Sequence, residues 1–329
     1  MGAVTVYTSE DAGAPVLTGE AGSLVNVLSK ILVEGYGSKV AAGWTKPFTD
    51  TNKAAFKMAA GTPSMYLRID DSNAQDARVV AYVDMTDVDT GTSPFPTSGQ
   101  QAGGLYCRKS ATAGSTARPW YCIANDKAFY IFTGQGQTSL GGQSTSNTSL
   151  DHYIGFGKFV SRRPNDPYAV FVYAAISASS SGQFFPHRMV DGTTSFTPQH
   201  VGLYLAGNLS DVQSSTRANV TSAGLSSRSC SALENDTANG YLTPYPDPLT
   251  GGTELAVALL VESLGGNAVI RGALPGFWHI PCSPFGSHLA TFAGGGDFAG
   301  KQFVLARMYT AEQSGYAFTA HETNGDWGI

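Results

Sequence analysis

The 329 residues carry a formal net charge of −5, and only 14% are charged, well under the usual quarter or so, while glycine is plentiful at 39. A chain of this length buries a full core, as one large domain or two ordinary ones, and is not composed like a disordered segment. The acidic balance, with no basic run beyond Arg108-Lys109 and Arg162-Arg163, speaks against nucleic acid, whose phosphates need a basic face.

Val4-Thr5-Val6-Tyr7 alternates and predicts a strand, followed by turn chemistry over 11–22. The clearest pattern comes next. Leu24, Val27, Leu28, Ile31 and Leu32 form one apolar face of a helix over 24–34. Ser23 stands where an N-cap belongs, and Gly35 where a left-handed residue closes a helix. So short a helix is not stable alone, so it must lie on a sheet. Residues 54–58 and 65–70 read as a hairpin broken at Gly61-Thr62-Pro63. A strand over 78–83 leads into an acidic loop over 84–97. Strands over 105–109 and 120–124 flank a polar turn, which would set Cys107 and Cys122 across a hairpin without requiring a disulfide. A strand over 128–132 starts after the Asn125-Asp126 corner. Residues 134–150 are loop by composition, and strands over 154–160 and 168–175 complete a first sheet.

The Ser-rich stretch 177–182 suggests a boundary between units 1–176 and 183–329, although a loop within one domain fits nearly as well. Beyond it, 201–205 reads as a strand, 211–238 as polar and unpatterned, and 243–249 as extended by its three prolines. Residues 255–261 are apolar on both faces, the mark of a central strand. Further strands follow over 269–272, 274–278, 303–309 and 316–320. The fold class is therefore mainly β, with β-sandwich-like sheets and one amphipathic N-terminal helix, α+β in detail. No short repeat or heptad pattern is present.

The run 255–261 is far too short to cross a bilayer, and the opening residues lack the basic and apolar regions of a secretory signal. The sequence thus predicts a soluble chain made in the cytosol, without a membrane partner, whose cysteines (Cys107, Cys122, Cys230 and Cys282) stay reduced.

Asp84, Asp87 and Asp89, with Asp70 and Asp71 close in sequence, are candidate ligands for a hard cation. Their spacing is not that of an EF-hand, and an exposed acidic turn accepting backbone N–H groups is the stronger reading. The six histidines show no zinc spacing. Gly114-Ser115 and Gly286-Ser287-His288 lack the setting of a nucleophile elbow. No catalytic residue, cofactor or enzymatic activity is predicted, although paired carboxylates need no local motif. Trp44, Trp120 and Trp278 read as core filling. Trp327, in a polar tail, reads as an interface anchor, with Ile329 and Tyr245 as further interface candidates. Removing 325–329 is then expected to impair assembly more than folding.

At Gly35-Tyr36-Gly37, Gly43-Trp44-Thr45-Lys46-Pro47-Phe48 and Arg271-Gly272-Ala273-Leu274-Pro275-Gly276-Phe277-Trp278 the chain resembles a family of uncharacterised virion structural proteins of tailed bacteriophages and prophages. Residues 2–22 and Met85-Thr86-Asp87-Val88-Asp89-Thr90-Gly91 share the likeness. The resemblance implies a structural part of the tail, neck or baseplate, partnered by copies of itself and other virion proteins. It also implies residence in the virion after synthesis in the host bacterial cytoplasm, and no catalytic residues. Two rivals remain: a carbohydrate- or receptor-binding module that takes host surface glycan at a tail tip, and a polysaccharide hydrolase.

Overall fold

The computed structural model describes residues 2–59, 61, 63–134, 136, 138–140, 152–177, 201–208, 213–222, 255–264, 267–279, 289–309 and 316–328. The fold is mainly β and antiparallel, with one helix held inside a curled half-barrel of strands.

A central sheet organises the rest. It runs Thr5–Thr8, Trp120–Ala124, Ala128–Thr133, His152–Lys158, Val170–Ala175 and Val201–Gly207. Because side chains alternate across a strand, its continuous apolar runs supply two cores at once. Trp120, Cys122, Phe129, Ile131, Ile154 and Val172 point to one side. Tyr121, Ile123, Tyr130, Phe132, Tyr153 and Phe171 point to the other.

The first side receives the helix. Leu24, Val27, Leu28, Ile31 and Leu32 are all buried, as the apolar stripe requires. A second wing closes over the helix from the far side: Thr45–Asp50, Lys53–Lys57, Tyr66–Asp70, Asp76–Asp87 and Leu105–Arg108. This wing joins the central sheet where Tyr106 pairs with Ala175. Leu67, Ile69 and Val79 of the wing share the helix-side core.

The helix differs from expectation at both ends. It is α-helical over Ser23–Ser29 and continues in wider π-helical turns over Lys30–Glu34, where the Gly35 N–H donates to the Lys30 carbonyl at 2.8 Å. Gly35 ends it at a φ of 78°, but its ψ of 170° is not that of the left-handed residue expected there. Ser23 is not the cap: its hydroxyl donates to the Thr18 carbonyl at 2.8 Å, and Gly22 holds the N-cap position. The free N–H groups of Leu24 and Val25 instead go to Asp71 Oδ2, at 2.7 Å for Leu24. The cap therefore comes from the sheet, 47 residues along the chain from Leu24.

The second side of the central sheet carries an outer sheet: Gln213–Ser222, Ala256–Leu264, Asn267–His279, Tyr316–Glu322, Gln302–Tyr309 and Thr291–Ala293. The strand Ala256–Leu264 is paired on both edges, as its apolar run predicts. The strand Gln213–Ser222 lies in a stretch whose polar sequence gave no pattern to read; it links the two sheets by pairing with Val201–Gly207 as well as Ala256–Leu264.

Two local expectations are corrected. Residues 84–97 are not a loop: Asp76–Asp87 and Thr90–Phe95 form a hairpin that carries the acidic residues at its tip. Nor do 105–109 and 120–124 form a hairpin. Leu105–Arg108 pairs with Asp76–Asp87, and Trp120–Ala124 lies between Thr5–Thr8 and Ala128–Thr133. A strand buried on both faces needs a partner on each edge, and the intervening Gly114–Arg118 pairs with Leu17–Gly19 instead.

The suggested units 1–176 and 183–329 do not part in the described structure. Val170–Ala175 pairs directly with Val201–Gly207, and the core on the outer side draws Val4, Tyr130 and Phe171 together with Leu260, Phe277 and Trp327. The Val4 N–H donates to the Gly325 carbonyl at 2.9 Å, so the two ends of the chain meet.

Candidate functional site

The densest polar constellation lies between the central and outer sheets, around His321. In the strand Tyr316–Glu322, Thr319 and His321 are two residues apart and share a face. That face looks at the aromatic side of the central sheet. His321 meets the rings of Tyr130, Phe132 and Phe277 with centroids 5.4, 5.1 and 4.7 Å away. Its Nε2 lies 3.0 Å from the Tyr153 hydroxyl and 3.1 Å from Thr319 Oγ1. Its Nδ1 is buried with no hydrogen-bond partner among the described residues, as is the nearby Tyr173 hydroxyl. Burial pushes the imidazole down to about 3, so it is neutral in the fold. Burial also holds the Tyr130 and Tyr153 phenols far above their ordinary range. Neutral, fully enclosed groups of this kind hold the two layers in place.

Trp327 belongs to the same constellation, which corrects its reading as an exposed anchor. It is buried, its ring centroid is 5.6 Å from that of Tyr130, and its Nε1 donates to the Glu322 carbonyl at 2.9 Å. Gly276, at a φ of 61°, leaves room for the indole; a Cβ there would sit 2.2 Å from Trp327 Nε1. The tail thus has a core after all, supplied by its own chain. Ile329 and Tyr245 lie outside the described residues.

The acidic hairpin tip is held together by its own contacts. Asp84 and Asp87 accept the next residue's backbone N–H, at 3.0 and 2.7 Å. Asp89 accepts from Lys53 Nζ at 2.7 Å and from Arg68, which also pairs with Asp70 at 3.0 Å. Bonds from Lys53 and Arg68 hold the Asp89 carboxyl below its ordinary range. Among the described residues, no group of three or more His, Cys, Asp and Glu is placed to hold a metal.

Ion pairs with at least one buried partner tie elements together. Asp71 meets Lys109 with both side chains fully enclosed. Arg271 meets Asp166 at 2.7 Å, and Lys301 meets Glu322 at 2.7 Å. Cys107 and Cys122 are free and buried on strands that do not pair; Cys230 and Cys282 lie outside the described residues. Trp44 and Trp120 fill the helix-side core. Trp278 instead lies half-buried on the outward face of the outer sheet, edge-on to Phe298 at 4.8 Å, with Phe292 stacked on Phe303 at 5.2 Å. Nothing in the sequence separated it from the other tryptophans.

Compared with family models and with curated proteins, the chain matches none.

Proposed function

We propose that this chain is a structural component of a tailed-bacteriophage virion, in the tail, neck or baseplate, made in the host cytoplasm and bound to copies of itself and to other virion proteins. The observation that carries the reading is the use of its ionisable groups. Asp71–Lys109, Asp166–Arg271 and Lys301–Glu322 each tie two parts of the fold together, and His321 is locked between sheets. Such groups hold a scaffold and act on no substrate. The resemblance at Gly35-Tyr36-Gly37, 43–48 and 271–278 supplies the identity of the particle. The first of these stretches closes the helix, and the last spans the strand that supports both Trp327 and His321. Val160 and Ile270, exposed by 40% and 42% around the same outer sheet, add aliphatic surface that a neighbouring subunit would cover.

Mass spectrometry of purified particles, followed by a density map that locates the chain, tests this. Its presence at a defined station in stoichiometric amount is expected; absence from particles would overturn the proposal.

A second reading rests on the half-exposed aromatic patch of Trp278, Phe292 and Phe298, with exposed Asp297 next to Phe298 in the chain. Rings next to a carboxylate suit a sugar face, so a host surface glycan is the partner in that case. A glycan array with the isolated chain separates the readings: binding without release of reducing ends supports a receptor-binding module, and silence supports the scaffold.

A further inference from the structure

His321 occupies the middle of the contact between the two sheets. It is flanked in register by Phe277 on one side and Val304 on the other, so a displacement of its backbone strains both neighbouring strands of the outer sheet. The groups facing it are neutral. From the central sheet come Tyr130, Phe132 and Tyr153, from the Asn267–His279 strand Phe277, and from its own strand Thr319. Glu322 follows it directly, but successive strand residues face opposite ways, and that carboxylate is held by Lys301 at 2.7 Å. Its partner Lys301 is thus directed to that far face as well. Among the described side chains packed against it, none carries a charge that could compensate a positive His321; the other titratable residue in register there is His279, which pairs with Thr319.

We propose that His321 makes the contact between the central and outer sheets acid-labile, so that a proton on its imidazole parts the Tyr316–Glu322 strand from the Tyr130–Tyr153 face. The neutral ring sits at hydrogen-bond distance from two hydroxyls and packs edge-on against aromatic rings. The imidazolium brings two N–H donors, one of them at the Nδ1 position that has no acceptor among the described residues. An ammonium-type charge without a counter-ion in an apolar layer is expelled to water. The proton comes from solvent and returns to it, and no bond other than N–H is made or broken.

The direction follows from linkage. The folded state holds the ring neutral down to about pH 3, whereas the exposed ring takes a proton below about 6.5. The closed contact therefore binds fewer protons than the open one. Its stability is full above about pH 6.5 and drains as pH falls from there towards 3. Each pH unit in that window multiplies the open population about tenfold.

Amide hydrogen exchange on the full chain tests this, with rates corrected for the intrinsic effect of pH. Between about pH 7.5 and 5, protection over Tyr316–Glu322 is expected to fall roughly thirtyfold, while Tyr66–Asp70 in the other wing, next to Asp71, loses none of its protection. In His321→Gln the fall should shrink to under about threefold, whatever that variant's overall stability. Equal loss in both strands, or an undiminished fall in His321→Gln, would overturn the proposal. If the variant does not fold, the contrast between the two strands in the unaltered chain decides alone.

Discussion

Asp71 and Lys109 meet with neither side chain open to solvent, and the same carboxylate holds the first free N–H of the helix at Leu24. Lys109 Nζ reaches the Glu20 carbonyl as well, so one contact binds the helix entry, the turn before it and two strand ends. Burial pushes the Asp71 carboxyl up to about 6, against the opposing pull of Lys109 and the helix amides. A carboxyl raised above its unfolded value gives its fullest stability when protonated, and loses it as pH rises from about 4 through about 6. Lys109→Met removes the pull and extends that loss to higher pH. The variant is expected to lose about 3–5 kcal/mol near pH 8 and less near pH 5. Asp71→Asn with Lys109→Met should recover most of it, because a neutral pair leaves no buried charge. Thermal unfolding at the two pH values checks both; an equal loss at each would mean that the lysine does not act through the carboxyl.

Trp327 closes the core between the sheets, with its indole above Gly276 and against Tyr130. Truncating a buried Trp side chain costs about 3–5 kcal/mol, so Trp327→Ala should unfold at markedly lower denaturant. Gly276→Ala should act in the same direction, since its methyl would strike the indole and its backbone φ of 61° disfavours any side chain. Removing 325–329 also deletes the bond from Val4 to Gly325, so the truncation should destabilise the fold itself. Urea unfolding of the truncated chain with a midpoint unchanged from the parent would show that the tail is needed elsewhere.

The parts of this fold that were legible in the sequence were those in which one face of one element decides the pattern. The helix stripe from Leu24 to Leu32 is of that kind, as is the apolar run of the Ala256–Leu264 strand. What the sequence left out depends on distant partners. The helix cap is Asp71, which no local rule places beside Leu24. The pairing of Trp120–Ala124 follows from burial on both faces, which its composition hints at but does not assign to partners. His321 gave no signal, because a lone histidine between Ala320 and Glu322 reads like any other. Trp327 reads as an interface residue because the polar residues around it describe the tail and not the surface it folds onto.

Asp89 sits at the hairpin tip between Lys53 and Arg68, nearly half-exposed at 47%. Exposed ion pairs of this sort contribute little, and salt screens them. Asp89→Asn is therefore expected to cost under about 1 kcal/mol, with the difference shrinking further at high salt. Because its oxygens already meet two cationic side chains, millimolar calcium should leave the midpoint of thermal unfolding unchanged. A calcium-dependent rise that disappears in Asp89→Asn would restore the cation reading of Asp84, Asp87 and Asp89.

Cys107 and Cys122 bear on how the helix-side core opens. Both are fully enclosed in that core, and burial pushes the Cys107 thiol up to about 12 and the Cys122 thiol well above its ordinary value. Thiolate is the reactive form, and near pH 8 a thiol at about 12 holds roughly one part in ten thousand of it. In a Cys230→Ser, Cys282→Ser background, a disulfide reagent should label neither thiol in the folded chain and both after unfolding. Residual labelling then reports opening of the core beneath the helix. Lys109→Met, which weakens the hold on the helix entry, should speed labelling, whereas Asp89→Asn at the hairpin tip should not. Fast labelling of the unaltered core would mean that the helix does not seal it.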